Sequence, residues 1–451
     1  MILSNLNICD FSGDCGRICK MTGGLKNLVP QGLKNIYHLA RAYGSALFFG
    51  FPGTKLKIIG VTGTDGKTTV VNLIYHILKQ AGFKVSMIST TKAVIGEKEL
   101  DTGLHVTTPD PIQIQRFLNE MLKAGSEYVV LEVTSHALDQ NRVAAINFFT
   151  AVVTNITTEH LDYHKTYNNY LTTKAKLLNG VKFRVLNADD LSYRELKKLG
   201  NGERVSYSIR DKADFKANEV KLKDRKLEFT VTFVDKQKKH QKIKLVAPLF
   251  GEYNVYNILA ALATCVSVGV KIEQIISAIA NFKSISGRMQ IIKQSQNFDA
   301  VIDFAHTPNA LENALKALRL VTSGKIIAVF GAAGGRDSQK REPMGEIAAS
   351  LADLVIVTSE DPRNEKAEEI INRIALGVEK AGGVLDKTYW KIADRKKAIF
   401  FAVQLAKRGD LIVSFGKGHE QSMNFSGQEI PWNEEEVVRA ALKGKTIYGK
   451  K

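Results

Sequence analysis

From Lys55 onward the chain alternates short apolar runs with amphipathic stretches, and this alternation narrows its fold more than any other feature. KLKIIGVTG is followed by VVNLIYHILKQAG, FKVSMIST, IQIQRFLNEMLKAG and EYVVLEV. Brief apolar runs read as buried strands, and the stretches between them carry apolar residues at helical spacing. The series therefore predicts βα units that build a mostly parallel sheet with helices on its faces. A second series begins near Asp299 with AVIDFA, ALENALKALRLV, KIIAVFG, EIAASLA, DLVIVTS and AEEIINRIALGVEKAG, and it ends with AIFFAVQLAK and DLIVSFG. Two α/β domains in succession are expected. Between them, Asp214 to Val246 alternates with period two around a charged turn at Lys236 to Lys239, which predicts an antiparallel hairpin attached to the first domain. Asn254 to Val270 reads as a long helix, and the polar stretch Asn281 to Gly287 as the domain boundary.

With 451 residues, 44% of them hydrophobic and 24% charged, the chain has the make-up of a folded globular protein of several domains, and disorder or fibrous repeats are excluded. Lys plus Arg number 63 against 46 Asp plus Glu, a net charge of +17 that favours contact with anions. The basic residues are dense only at Lys236 to Lys244 and Lys443 to Lys451, so most of the excess reads as solvated surface. Cys9, Cys15, Cys19 and Cys265 are too few to staple the chain and match no zinc or iron–sulfur spacing, so free thiols in a reducing cytoplasm are expected. No signal peptide is evident, and the longest uninterrupted apolar candidate, Ala46 to Phe51, is far below the ~18–20 residues of a membrane span. Met1 and Met21 both remain possible starts.

The strongest local signal is Gly60-Val61-Thr62-Gly63-Thr64-Asp65-Gly66-Lys67-Thr68-Thr69, set between an expected strand and an expected helix. Backbone N–H groups at a helix N-terminus attract phosphate, Lys67 adds a mobile positive charge, and the hydroxyl of Thr68 or Thr69 suits Mg²⁺. The strict Walker spacing has a glycine where Val61 stands, so the loop is a variant. Glu132 closes the apolar run EYVVLEV, and a carboxylate at the C-terminal edge of a parallel sheet is placed to hold a cation beside such a loop. His160 and His164 in HLDYHKT would share a helix face, but no third histidine or cysteine makes a zinc site with them.

TGTDGKTT resembles the ATP loop of the Mur ligase family of peptidoglycan synthesis, and further matches follow in that family's order. They are TTPDP from Thr107, EVTSHALDQNRV from Glu132, HLDYHKT from His160, GEYNVYN from Gly251, GRM from Gly287 and DFAHTPNAL from Asp303. GAAGGRDSQKR from Gly331, TSEDPRNE from Thr358 and GKGHE from Gly416 complete the set. The resemblance covers the chain from about Leu33 to its end, and within the family it points to the branch that adds the third amino acid of the peptide. It implies a central P-loop domain with a mostly parallel sheet at 54–285 and a smaller Rossmann-like domain at 286–451, preceded by a short segment at 1–53.

The resemblance also implies roles. ATP falls to Gly63, Thr64, Asp65, Gly66, Lys67, Thr68 and Thr69, with Asn254 on the adenine side and Arg288, Asp303 and His306 reaching phosphate and ribose from the second domain. Mg²⁺ falls to Thr68, Glu132, His160 and Lys174, the last as a carbamate, and Lys67, Lys174 and His160 form the catalytic set. Lys176 lies close enough to leave the carbamate assignment open, and His164 is taken as structural. Thr107, Thr108, Thr134, Gln140 and Arg142 fall to the acceptor. Arg336, Glu360, Asp361, Pro362, Arg363, Gly416 and Glu420 fall to the incoming amino acid. An arginine at Arg363 is what the family uses for meso-diaminopimelate, whose second carboxylate suits a guanidinium fork. The family's Asp-Asn-Pro-Arg reads Glu360-Asp361-Pro362-Arg363 here, so the choice between diaminopimelate and lysine stays open.

The expected enzyme is thus an ATP-dependent ligase, monomeric and cytoplasmic, that joins a diamino acid to a UDP-muramoyl-peptide-type acceptor through an acyl phosphate. It should bind neither nucleic acid nor membrane. Only 59 residues precede Gly60, too few for the uridine-binding domain of the family. Three readings follow: an acceptor without UDP, one held by its sugar and peptide alone, or a partner that supplies the surface. A related ligase for another acidic acceptor, or a non-catalytic ATP-binding scaffold, are the alternatives.

Overall fold

The computed structural model describes residues 31–100, 108–234 and 238–448. Cys9, Cys15, Cys19, Met21, Thr107 and Lys236 lie outside them. The alternation predicted from sequence folds into two sheets. In chain order the first holds β1 (Lys57–Thr62), β2 (Val85–Ile88), β3 (Ala93–Ile95), β4 (Lys98–Leu100), β5 (Tyr128–Glu132) and β6 (Phe148–Val153). It continues with β7 (Phe183–Asn187), β8 (Glu203–Ser208), β9 (Phe215–Lys223), β10 (Lys226–Val234) and β11 (His240–Ala247). Their spatial order is β11-β10-β9-β8-β7-β6-β1-β5-β2-β3-β4. Strands β2, β5, β1, β6, β7, β8 and β9 run parallel to their neighbours in that run. Both faces of β1 and β5 are covered, and Ile58, Ile59, Val61, Val129, Val130 and Leu131 are fully buried, which is why these strands read as continuous apolar runs.

The period-two segment differs from its expectation. It forms a three-stranded meander where a two-stranded hairpin is expected, and β9 joins β8 in parallel at Tyr207–Phe215 and Ser208–Lys216, so the attachment to the first domain is an extension of the central sheet. Its inward residues Phe229, Val231 and Phe233 belong to the same core as the helix Glu252–Ser267, which explains the continuity. The edge strands β3 and β4 and the final hairpin described below are only three or four residues long, too short for a periodicity to announce them.

The second sheet comprises β12 (Gln290–Ile292), β13 (Asp299–Asp303), β14 (Ile326–Phe330), β15 (Leu354–Val357), β16 (Tyr389–Lys391) and β17 (Leu411–Phe415), ordered β12-β13-β17-β14-β15-β16. All its pairings are parallel except β12 with β13. A separate hairpin joins β18 (Ser422–Phe425) to β19 (Gln428–Pro431). Two helices of this second unit start at sequence-legible caps: Thr307 accepts from Ala310 N ahead of Pro308, and Asp394 from Lys397 N.

Polar contacts tie the two sheets' units together. Arg225, in the β9–β10 turn, grips both carboxylate oxygens of Asp299. Asn309 donates to Asp65 at 2.8 Å, and Arg288 Nη2 to Thr68 Oγ1 at 3.2 Å. The second unit therefore closes over the glycine-rich loop. No described helix is long and apolar enough to cross a membrane.

Candidate active site

The loop between β1 and the helix Lys67–Gln80 is shaped by close approach. A Cβ on Gly63 would lie 1.8 Å from Thr154 Oγ1, and one on Gly66, whose φ is +82°, would lie 2.3 Å from Asn257 Oδ1. Neither position accepts a side chain. Val61, where the strict motif has glycine, is a fully buried strand residue of β1, so the loop starts later than in that motif. Lys67 Nζ donates to Gly63 O at 3.0 Å and to Thr64 O at 2.7 Å.

Glu132 ends β5 and is 1% exposed. Its two oxygens each lie 3.0 Å from the Thr68 hydroxyl, and Oε2 also accepts from Thr90 N at 2.9 Å. Lys174 is buried, donates to Gly63 O at 2.7 Å and lies 4.6 Å from the Tyr170 ring centroid. Burial first, then the Lys67 charge, push its amine well below the ordinary lysine range. Lys176 is half exposed, 3.9 Å from Asp139, so Lys174 is the desolvated lysine of the pair. His160 adopts φ +56° and stands 3.7 Å from Glu159, while His164 is buried with Nε2 3.0 Å from Ser135 Oγ. The hydroxyl of Thr68 and the oxygens of Glu132, buried together without sulfur, are hard donors of the kind that Mg²⁺ takes.

These groups open into a cleft of about 1130 Å³ between the two units. Gly63 to Thr69, Glu132, Thr134, Arg142, His160 and Lys174 line it from the first, and Arg288, His306, Arg336, Glu360, Asp361, Arg363 and Glu420 from the second. Six residues expected there stand behind its wall. Asp303 braces the Arg288 turn by accepting from Met289 N and Ala305 N. Asn254 donates to Phe250 O and accepts from Asn257. Thr108 donates to Glu132 O, and Gln140 accepts from Arg142 Nε at 2.8 Å. Gly416 has φ +101°, and a Cβ there would meet Glu360 Oε2 at 2.6 Å, while Pro362 is buried with its carbonyl against Gly334.

On the second unit's wall, Lys417 is fully buried between two acids, 2.9 Å from Asp361 Oδ1 and 2.5 Å from Glu420 Oε2. Asp361 Oδ1 also accepts from Asn424 N at 3.0 Å. Arg363 adopts φ +55° and is held through its backbone, N to Asn424 O and O from Ser426 N. Its guanidinium has no hydrogen-bond or ion-pair partner among the described residues. Glu360 is buried, its Oε2 lacks a partner, and desolvation raises its carboxyl above the usual range.

Sequence reading passed over several lining residues. His136 packs its ring 5.0 Å from that of His160, and burial, then His160 and His164, lower it to about 3. Tyr170, Glu159, Lys340, His419 and Asn309 also face the cleft. His136 and His419 lie inside motifs already singled out, and Tyr170 four residues before Lys174, so their position was the available signal.

Residues 61–265 match the Mur ligase middle domain and residues 287–418 the Mur ligase glutamate ligase domain. The chain is 38% identical over 406 residues to UDP-N-acetylmuramoyl-L-alanyl-D-glutamate–2,6-diaminopimelate ligase 1 of Clostridium acetobutylicum, covering 90% of this chain and 82% of that one. It is 39% identical over 415 residues to UDP-N-acetylmuramyl-tripeptide synthetase of Borreliella burgdorferi, covering 88% and 78%. A solved UDP-N-acetylmuramoyl-L-alanyl-D-glutamate–2,6-diaminopimelate ligase superposes with TM-score 0.59 at 32% identity over 87% of this chain and 79% of its own. Folylpolyglutamate synthase of Mycobacterium tuberculosis shares the fold at TM-score 0.69 and 16% identity, over 92% and 96%. With two consecutive domain models matched and relatives this similar across nine-tenths of its length, the chain belongs to the Mur ligase family.

Proposed function

We propose that the protein is an ATP-dependent amide ligase that adds meso-diaminopimelate to a UDP-N-acetylmuramoyl-L-alanyl-D-glutamate-type acceptor. The observation that carries this reading is the unspent guanidinium of Arg363 in the same cleft as the phosphate loop, in a chain whose relatives bear the names of such ligases. Residues 54–285 serve ATP and acceptor, residues 286–451 the amino acid, and a cytoplasmic monomer is the setting. A carboxylate oxygen of the acceptor attacks the γ-phosphorus of ATP, ADP leaves, and an acyl phosphate forms. The amine of the amino acid then attacks the acyl carbon, phosphate departs and the amine gives up a proton.

The chain's residues mainly position and neutralise. Lys67 supports charge on the transferring phosphoryl group, and the loop N–H groups orient it. Thr68, Glu132, His160 and Lys174 as its carbamate would hold Mg²⁺, which when bound neutralises phosphate charge. Thr134 and Arg142 face the acceptor, and Arg336, Arg363 and Glu420 the amino acid. Closure of the second unit over the loop excludes water. The test is incubation with ATP, Mg²⁺, UDP-muramoyl dipeptide and diaminopimelate, with product read by mass. Acceptor-dependent ADP release and a tripeptide product are expected; their absence removes the reading.

A further inference from the structure

If the carboxylate of the extra acid Asp361 engaged Arg363, the side-chain subsite would turn toward a cation. The geometry points elsewhere. Asp361 spends Oδ1 on Lys417 Nζ at 2.9 Å and on Asn424 N at 3.0 Å, and Lys417 reaches Glu420 Oε2 at 2.5 Å on its other side. Lys417 is wholly buried, whereas Glu420 and Arg363 both line the cleft. One buried ammonium thus lies between two acids, and the neighbouring guanidinium is left without a partner among the described residues.

We propose that Lys417 is the specificity-determining residue of the amino-acid site, acting through Asp361 and Glu420. Because it holds these acids, the subsite accepts a side chain ending in both ammonium and carboxylate in preference to one ending in ammonium alone. The charge arithmetic carries this. Asp361, Glu420 and an ionised Glu360 contribute three negative charges, Lys417, Arg363 and Arg336 three positive ones, and the sum of zero matches a zwitterionic terminus. Without Lys417 the remaining positions carry a net negative charge and suit lysine. The buried ammonium is itself held charged: Glu420 and Asp361 raise its pKa against the opposing effect of burial. A charged pair enclosed this way is poorly screened, so its removal is felt by a ligand a few ångströms away. The role rests on the proposed assignment of Arg363 and Glu420 to the incoming amino acid.

The experiment offers the full chain equal concentrations of meso-diaminopimelate and L-lysine with ATP, Mg²⁺ and UDP-muramoyl dipeptide, and reads the product ratio by mass. The unmodified protein should form mainly the diaminopimelate product. Lys417→Met should lower the diaminopimelate-to-lysine ratio by roughly tenfold or more, through KM for the amino acid and not through KM for ATP. Lys417→Met combined with Asp361→Asn removes one charge of each sign and should return the ratio most of the way. If Lys417→Met does not fold, Asp361→Asn alone serves, since it makes the subsite more positive and should move the ratio further toward diaminopimelate. An unchanged ratio, with both amino acids used less well by the same factor, overturns the role of Lys417 and leaves the ligase reading intact. No product from the unmodified protein with either amino acid removes the ligase reading itself.

Discussion

Lys67 and Lys174 share one acceptor: both side-chain nitrogens donate to the carbonyl oxygen of Gly63, at 3.0 and 2.7 Å. Two ammonium groups on one carbonyl repel each other, and the buried one yields. Lys174 is buried while Lys67 is only partly so, and desolvation and the Lys67 charge together favour a neutral amine at Lys174. A neutral amine is the form that attacks CO₂, which gives the proposed carbamate a local cause.

Lys67→Ala should therefore lose ATP turnover by about a hundredfold or more, because a cation aimed at transferring phosphate is worth several kcal/mol in a dry site. Its ammonium hydrogen-bonds the loop carbonyls of Gly63 and Thr64 and anchors no core packing, so the thermal midpoint should hold. Turnover near the unmodified level would remove the phosphate-loop assignment.

Lys174→Ala should be nearly inactive and partly restored by short carboxylates, which supply oxygen where the carbamate would. Lys176→Ala should matter little, since its partner Asp139 is 3.9 Å away and the side chain is half exposed. The two activities, measured with and without added acetate, decide between the lysines.

Both sheets, the loop and most of the cleft's lining were legible in the sequence because buried parallel strands and glycine-bound turns leave strong local patterns. Asp303 and Asn254 stand behind the cleft wall, their side chains engaged by Met289 N, Ala305 N, Phe250 O and Asn257, partners that no sequence spacing reveals. Lys417 was missed for the opposite reason. It stands between two residues assigned to the amino acid, Gly416 and Glu420, and a lysine in a loop reads as solvated until three-dimensional packing encloses it.

The pair Arg395 and Glu434 is almost fully enclosed, and Arg395 also donates to Ser359 O and Phe415 O, which brace the strand ends carrying Glu360 and Gly416. Removing one member strands a buried charge, so Glu434→Ala should cost about 3–5 kcal/mol of stability. Urea unfolding of the variant measures this. A loss below about 1 kcal/mol would mean that water reaches the pair.

His136 titrates at about 3 in the folded chain against 6.5 as a free side chain. Between these values the unfolded chain binds more protons, so stability rises with pH across that window and is flat above it. Lowering pH from about 7.5 to about 5 should destabilise the unmodified protein more than His136→Gln. Urea midpoints at the two pH values give the comparison, and equal falls would show that His136 is protonated in the fold.

Arg363 offers the sharpest test of the substrate. Its backbone is fixed at φ +55° by hydrogen bonds to Asn424 and Ser426, so the guanidinium projects from a rigid support into the cleft. The acids two residues away on either side are both taken, Asp361 by Lys417 and Asn424 N and Glu365 by Arg341. A substrate carboxylate can then meet the fork in two parallel hydrogen bonds, whereas a second ammonium is repelled. Losing that contact in a closed site costs about 2–5 kcal/mol, which is roughly thirtyfold to several thousandfold in kcat/KM for diaminopimelate. Arg363→Ala should show that loss while KM for ATP changes little, because the phosphate loop lies on the other unit. Equal use of diaminopimelate by the variant would mean that its second carboxylate is bound elsewhere.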